Sequence, residues 1–208
     1  MPSNTTARAF EPRHLQLGRA IFAALAAVMI TFSPDHSASV GLAVFSGFAI
    51  ATGFVFVLSA WLVFGAGERW PVLVLGVLTL LAGMVAGIGP WRSTALFFAL
   101  VIVWSFATGL VETLAAVRTR RASRQLSRDG LVVGILTMVL GGALLFISPQ
   151  YALEYSIEEA GSFTLTGITI AVGVFGGYAA IVAVYLGIGA LSPRRDSAPV
   201  PEREEADA

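Results

Sequence analysis

The sequence has no cysteine and no lysine, only two histidines, and few charges of any kind. Without cysteine there can be no disulfide, thiol nucleophile, thiolate metal site or iron–sulfur ligation. Two histidines, His14 and His36, supply histidine-based metal chemistry almost as poorly. Charged residues make up 12% of the 208-residue chain, against roughly 25% in ordinary soluble domains. Thirteen basic residues balance thirteen acidic ones, so no bulk charge is available to hold nucleic acid. No residue pattern calls for a cofactor or a metal.

What the chain has instead is apolar sequence, at 56% hydrophobic residues and a mean hydropathy of +0.81. Six runs approach or exceed the roughly 20 residues that cross a bilayer core. They are Leu15 to Phe32, Ala38 to Val63, Trp70 to Ile88, Ser93 to Val117, Leu131 to Ile147 and Thr164 to Leu191. None alternates apolar with polar residues as a membrane barrel does, and a continuous apolar run satisfies its own backbone in lipid only as a helix. The expected fold class is an all-α integral membrane protein of six transmembrane helices.

The basic residues are all arginine, and their placement sets the expected orientation. Arg8, Arg13, Arg19, Arg69, Arg118, Arg120, Arg121, Arg124, Arg128, Arg194, Arg195 and Arg203 fall on one side of a six-span chain, and only Arg92 falls on the other. The positive-inside bias then puts both termini in the cytoplasm. The first span follows a short basic segment, residues 1–14, as a secretory signal would. With no small-x-small site opening a soluble mature domain, and five further spans following, it reads as a retained helix. Residues 192–208 are charged and lack periodic apolar positions, and read as a disordered cytoplasmic tail.

The chain also repeats itself. Pro34 and Pro90 each end an odd-numbered span, and each is followed at the same distance by the same tripeptide, Ala51-Thr52-Gly53 and Ala107-Thr108-Gly109. Leu75-Gly76-Val77-Leu78-Thr79 matches Val133-Gly134-Ile135-Leu136-Thr137, with Gly83 and Gly141 at the same distance beyond, and Pro149 takes the place of the earlier prolines. Three helical hairpins follow, at about 15–63, 70–117 and 131–191. Each pairs a short helix with a longer returning one, and the third has a longer outer loop from Pro149 to Phe163. Small residues recur one turn apart at Gly83/Gly87, Gly173/Gly177, Gly47/Ala51 and Ala23/Ala27. Such pairs serve close packing within a bundle or self-association into a homo-oligomer.

A glycine-initiated short helix ending in Ser/Gly-Pro, the long helix Trp104-Ser105-Phe106-Ala107-Thr108-Gly109-Leu110-Val111-Glu112, the basic link Arg118 to Arg128 and the glycine-rich helix after it together resemble HdeD-type acid-resistance membrane proteins. These belong to a wider group built from short membrane repeats. The resemblance covers about residues 13–191 and is strongest over 69–150. It implies a six-helix inner-membrane protein linked in some members to acid survival, and carries over no catalytic residue.

Few polar residues stand out within the spans. Glu112 is the one carboxylate embedded in an expected helix, where it must be protonated, paired or wet. Two readings are open: a proton-sensing or helix-locking group facing the bundle and paired with Arg19, or a headgroup-level glutamate balanced by the arginines beyond it. The outer segment Tyr151-Ala152-Leu153-Glu154-Tyr155-Ser156-Ile157-Glu158-Glu159, read as a helix, puts Glu154 and Glu158 on one face one turn apart. Like charges so placed disfavour joint ionisation, and with Glu159 beside them the segment would neutralise in mild acid and dock more deeply on the membrane. The alternative is a solvated loop with headgroup-level tyrosines. Arg118, Arg120, Arg121, Arg124 and Arg128 are candidates to contact anionic lipid headgroups as well as to set topology. Trp61, Trp70 and Trp91 lie at span ends, as interfacial anchors do.

Three functions compete on this reading. A non-enzymatic membrane protein that supports envelope or acid-stress tolerance, with lipids as its partners, fits every feature. A small transporter or channel would need intramembrane charges and broken helices, and three repeats are not the paired inverted halves common in transporters. An enzyme would need clustered reactive side chains, which the spans lack.

Overall fold

A computed structural model describes residues 11–65, 69–120, 124–157 and 161–192. The elements run α1 (Pro12–Thr31), α2 (Ala38–Leu62), α3 (Arg69–Gly87), a 3₁₀ turn (Gly89–Trp91), α4 (Thr94–Thr119), α5 (Arg124–Leu145), β1 (Ala152–Ile157), β2 (Gly161–Thr166) and α6 (Gly167–Leu191). All six helices are long and apolar enough to cross a membrane, with Ser127–Leu145 the apolar stretch of α5. The even helices have 25, 26 and 25 residues and the odd ones 20, 19 and 22. At 1.5 Å per residue the longest, α4, reaches about 39 Å, longer than the roughly 30 Å hydrocarbon core.

The returning helices start alike because their sequences do. Ser37, Ser93 and Thr166 cap α2, α4 and α6 by accepting from the amides of Val40, Leu96 and Thr169. Each cap satisfies one orphan donor at a helix start. Helix α1 begins at Pro12, and there Glu11 and His14 form a reciprocal capping box.

When the first two units are aligned on their shared tripeptide, and the short helices of the second and third on the match of Leu75–Thr79 with Val133–Thr137, their buried faces coincide. On the odd helices Arg19, Ala20, Ala23, Ala26, Ala27 and Ile30 correspond to Leu75, Gly76, Thr79, Ala82, Gly83 and Ala86, and to Val133, Gly134, Thr137, Leu140, Gly141 and Leu144. All eighteen are buried. On the even helices the aligned layers are Phe45/Val101, Phe48/Trp104, Thr52/Thr108 and Phe56/Glu112, all buried, and α6 buries Phe175, Tyr178, Val182 and Leu186 at the same spacing.

The most extensive packing runs between units, not within them. Helix α2 lies along α3, α4 along α5, and α6 returns to lie along α1, so the array closes on itself. Glycine makes this approach possible. A Cβ on Gly76 would stand 3.2 Å from the Gly53 carbonyl oxygen, and one on Gly109 would stand 2.7 Å from the Gly134 carbonyl oxygen. Gly83 presses on Ala49 and Ile50, and Ser46 Oγ donates to the Gly83 carbonyl at 2.8 Å. Two of the small-residue pairs do not take part. Added Cβ atoms on Gly47, Gly173 and Gly177 would meet nothing within 4 Å, because these glycines lie on the outer surface of the bundle.

The outer segment, for which the sequence leaves both a helix and a solvated loop open, is instead a strand pair. β1 and β2 pair antiparallel, with Leu153 opposite Leu165 and Glu154 opposite Thr164. The alternation Leu153, Glu154, Tyr155, Ser156 has a period of two, which a strand sorts onto two faces and a helix would mix. Leu153, Tyr155 and Leu165 share one face; Glu154, Thr164, Ser156 and Ser162 share the other. The sixth span accordingly starts at Gly167, three residues later than Thr164.

Candidate functional site

The site is built where the threefold pattern breaks. Arg19 of α1 corresponds to Leu75 and Val133, and Glu112 of α4 corresponds to Phe56 and Leu186, so one ion pair replaces apolar residues at that level of the axis. Arg19 donates from both terminal nitrogens, Nη1 to Glu112 Oε1 at 2.7 Å and Nη2 to Oε2 at 3.1 Å. The residues retain only 7% and 8% of their exposure. The guanidinium also stands over the Phe56 ring, 4.6 Å from its centroid. This fork geometry gives each charge two hydrogen bonds, which a desolvated pair needs to offset the loss of water.

On the arginine-rich side of the pair lies a cavity of about 320 Å³. Its walls come from the start of α1 (Leu15, Gln16), the end of α2 (Phe56, Phe64), the start of α3 (Val72, Leu75) and the end of α4 (Ala116, Thr119). Gln16 is one turn before Arg19 on the same face and is 7% exposed, and its Oε1 has no hydrogen-bond partner.

On the other side of the pair, polar groups continue around the axis for two layers. A void of about 20 Å³, room for one water, is bordered by Thr52, Thr108, Thr137 and Tyr178 as well as the pair. Trp104 Nε1 donates to Thr79 Oγ1 at 3.3 Å. Thr137 Oγ1 donates to the Val133 carbonyl at 2.7 Å, so the 2.8 Å contact with the Tyr178 hydroxyl has Tyr178 as donor. These two contacts are equivalents across units: threonine on the odd helix meets a polar aromatic on the even one. In the first unit the same two positions hold Ala23 and Phe48, neither of which has a group to pair.

Beyond this the axis is apolar. Phe48 packs edge-on against Trp104 and Phe175 at 6.0 and 5.8 Å, and Phe45 against Trp104 and Phe175 at 5.2 and 5.5 Å. Phe97 fills the space left by Gly41, where a Cβ would come within 2.9 Å of its ring. Phe45, Phe97, Phe175 and Leu42 are fully buried. The axis is therefore polar toward the arginine-rich end and plugged with aromatic rings toward the other.

The remaining sequence candidates are dispersed. Arg118, Arg120 and Arg128 are exposed at the ends of α4 and α5, and the side chains of Arg121 and Arg124 lie outside the described residues. Arg120 and Arg128 line a cleft of about 530 Å³ with Ser127, Leu131 and Val132, a basic rim over an apolar floor. Glu154 is exposed on the hairpin, while Glu158 and Glu159 lie outside the described residues, as does the tail beyond Ser192. Glu154 is on a strand, where its neighbour across the ladder is Thr164, and not on the helical face considered for it. His14 and His36 sit at opposite ends of α1, and no group of three metal-ligating side chains occurs among the described residues. Trp61, Trp70 and Trp91 are exposed at helix ends, and Arg69 stacks on Trp61 at 5.1 Å.

Sequence reasoning missed Gln16, whose signal was its one-turn spacing from Arg19. It also missed the buried threonines, although the repeat had already aligned Thr79 with Thr137. No family model, curated protein or solved structure matches the chain.

Proposed function

We propose that this is a non-enzymatic, multi-pass protein of a bacterial plasma membrane, with both termini cytoplasmic, that supports the envelope under acid stress. It works by packing and lipid contact, in the manner expected of an HdeD-type protein. The observation that carries this reading is the one-sided axis. Its buried ionisable pair lies toward the arginine-rich end, and rings of Phe45, Phe97 and Phe175 fill the opposite half. With the arginines facing the cytoplasm, external acid meets an apolar plug, and the described residues of the outer half bury no carboxylate. Such a bundle keeps its packing when the outside is acidified.

Acid survival of a deletion strain is the test, with the wild-type gene and a bundle-breaking variant such as Gly134→Val supplied in trans. Rescue by wild type alone supports the reading. Equal survival of the deletion and wild-type strains in acid rejects it.

A further inference from the structure

The cavity beside the Arg19–Glu112 pair has the features of a ligand site that no function considered so far uses. Its volume, about 320 Å³, is at the small end of the roughly 300–1,000 Å³ found for small-molecule pockets. Leu15, Phe56, Phe64, Val72 and Leu75 give it apolar walls. Gln16 lines it too, and the buried Oε1 of its amide has no partner. Buried polar atoms are normally paired, so an amide with an unpaired end on a residue that lines an apolar-walled cavity marks where a ligand's polar group would go.

The charge at the cavity floor selects the ligand. Arg19 and Glu112 neutralise each other through two hydrogen bonds. An added anion would face the Glu112 carboxylate and an added cation the Arg19 guanidinium, each in a poorly screened site. The head group must therefore be uncharged. A hydroxyl both donates and accepts, so it satisfies the Gln16 amide whichever way that amide is turned. The walls require an apolar body, and the cavity is built from the helix ends at which amphiphiles gather at a membrane surface.

We infer that this cavity binds an uncharged amphiphile through a hydroxyl head hydrogen-bonded to Gln16, its alkyl body lying against Leu15, Phe56 and Leu75. The inference stands apart from the acid-stress reading, because it concerns occupancy of a site and not survival of a cell.

The test is photolabelling of the purified full-length protein in lipid nanodiscs with a diazirine-bearing decanol, the adducts being located by peptide mass spectrometry. Labelling of the cavity-lining segments should saturate and should be competed by decanol, but not by decane or decanoate. Gln16→Leu should weaken labelling about tenfold, the effect of losing one good hydrogen bond. Ala116→Phe, which puts a ring into the cavity, should abolish it. If Ala116→Phe does not fold, Gln16→Leu decides alone, its melting temperature showing that the bundle is intact. Labelling that does not saturate, competition by decane equal to that by decanol, or unchanged labelling in folded Gln16→Leu would overturn the inference. Stronger competition by decanoate would also overturn it, by making the cavity an anion site of Arg19. The assay reads nothing about acid survival, so either reading can fail without the other.

Discussion

Arg19 and Glu112 join α1 to α4 by a two-pronged ion pair, at a level of the axis where every equivalent position is apolar. Leu75, Val133, Phe56 and Leu186 show what the same fold accepts there without charge. Removing one partner leaves the other charged and unpaired, which costs about 3–5 kcal/mol in buried pairs, whereas replacing both with apolar groups is often neutral. Glu112→Gln should therefore lower folded yield and melting temperature sharply. The double variant Arg19→Leu with Glu112→Leu should recover most of the loss. A double variant no more stable than Glu112→Gln would contradict this reading of the repeat.

The threonine–aromatic contacts allow a parallel test, because the first unit already has the apolar version. Thr79→Val leaves Trp104 Nε1 without its acceptor and should cost about 1–3 kcal/mol. Adding Trp104→Phe recreates the kind of pairing seen at Ala23 and Phe48, and should return part of that loss. Thermal unfolding of both variants in detergent checks this, and additive losses would sink it.

Glycines of the two kinds should behave oppositely. A Cβ on Gly134 would strike Thr113 Oγ1 and approach the Gly109 carbonyl at 2.9 Å, so Gly134→Ala should destabilise by about 1–3 kcal/mol. Gly173→Ala and Gly177→Ala meet nothing within 4 Å, and should be neutral or stabilising by up to about 1 kcal/mol through helix propensity. A large loss at Gly173 or Gly177 would show that this outward face is covered in the membrane.

A cysteine-free chain makes topology easy to read with single introduced cysteines. Asp35→Cys lies in the turn after α1 and Thr119→Cys at the end of α4, at opposite ends of the bundle. In intact cells an impermeant maleimide should label the first and spare the second. The reverse pattern would place the termini outside.

Several features were legible in the sequence because the physics behind them is local. Apolar run length gave the six spans, and the recurring Pro and Ala-Thr-Gly gave the units. The hairpin at 152–166 was not legible as a strand pair, because half of it, Thr164 to Thr166, continues smoothly into an apolar run. Its other half, Leu153 to Ile157, is too short to separate a period of two from a helical turn. Closure of α6 onto α1 could not be read either. It depends on long-range fits such as Gly176 against Ile30, where the glycine leaves room for the β-branched side chain. The unpaired Gln16 depends on three-dimensional burial, which no spacing rule supplies.

The central claim is that the axis is closed by its aromatic half and carries nothing across. Proton flux into proteoliposomes after a pH jump tests it most directly, with the bundle's fold confirmed by its melting transition. The account predicts flux no greater than in protein-free liposomes, for wild type and for a Glu112 variant alike. Protein-dependent flux that disappears on replacing Glu112 would contradict it.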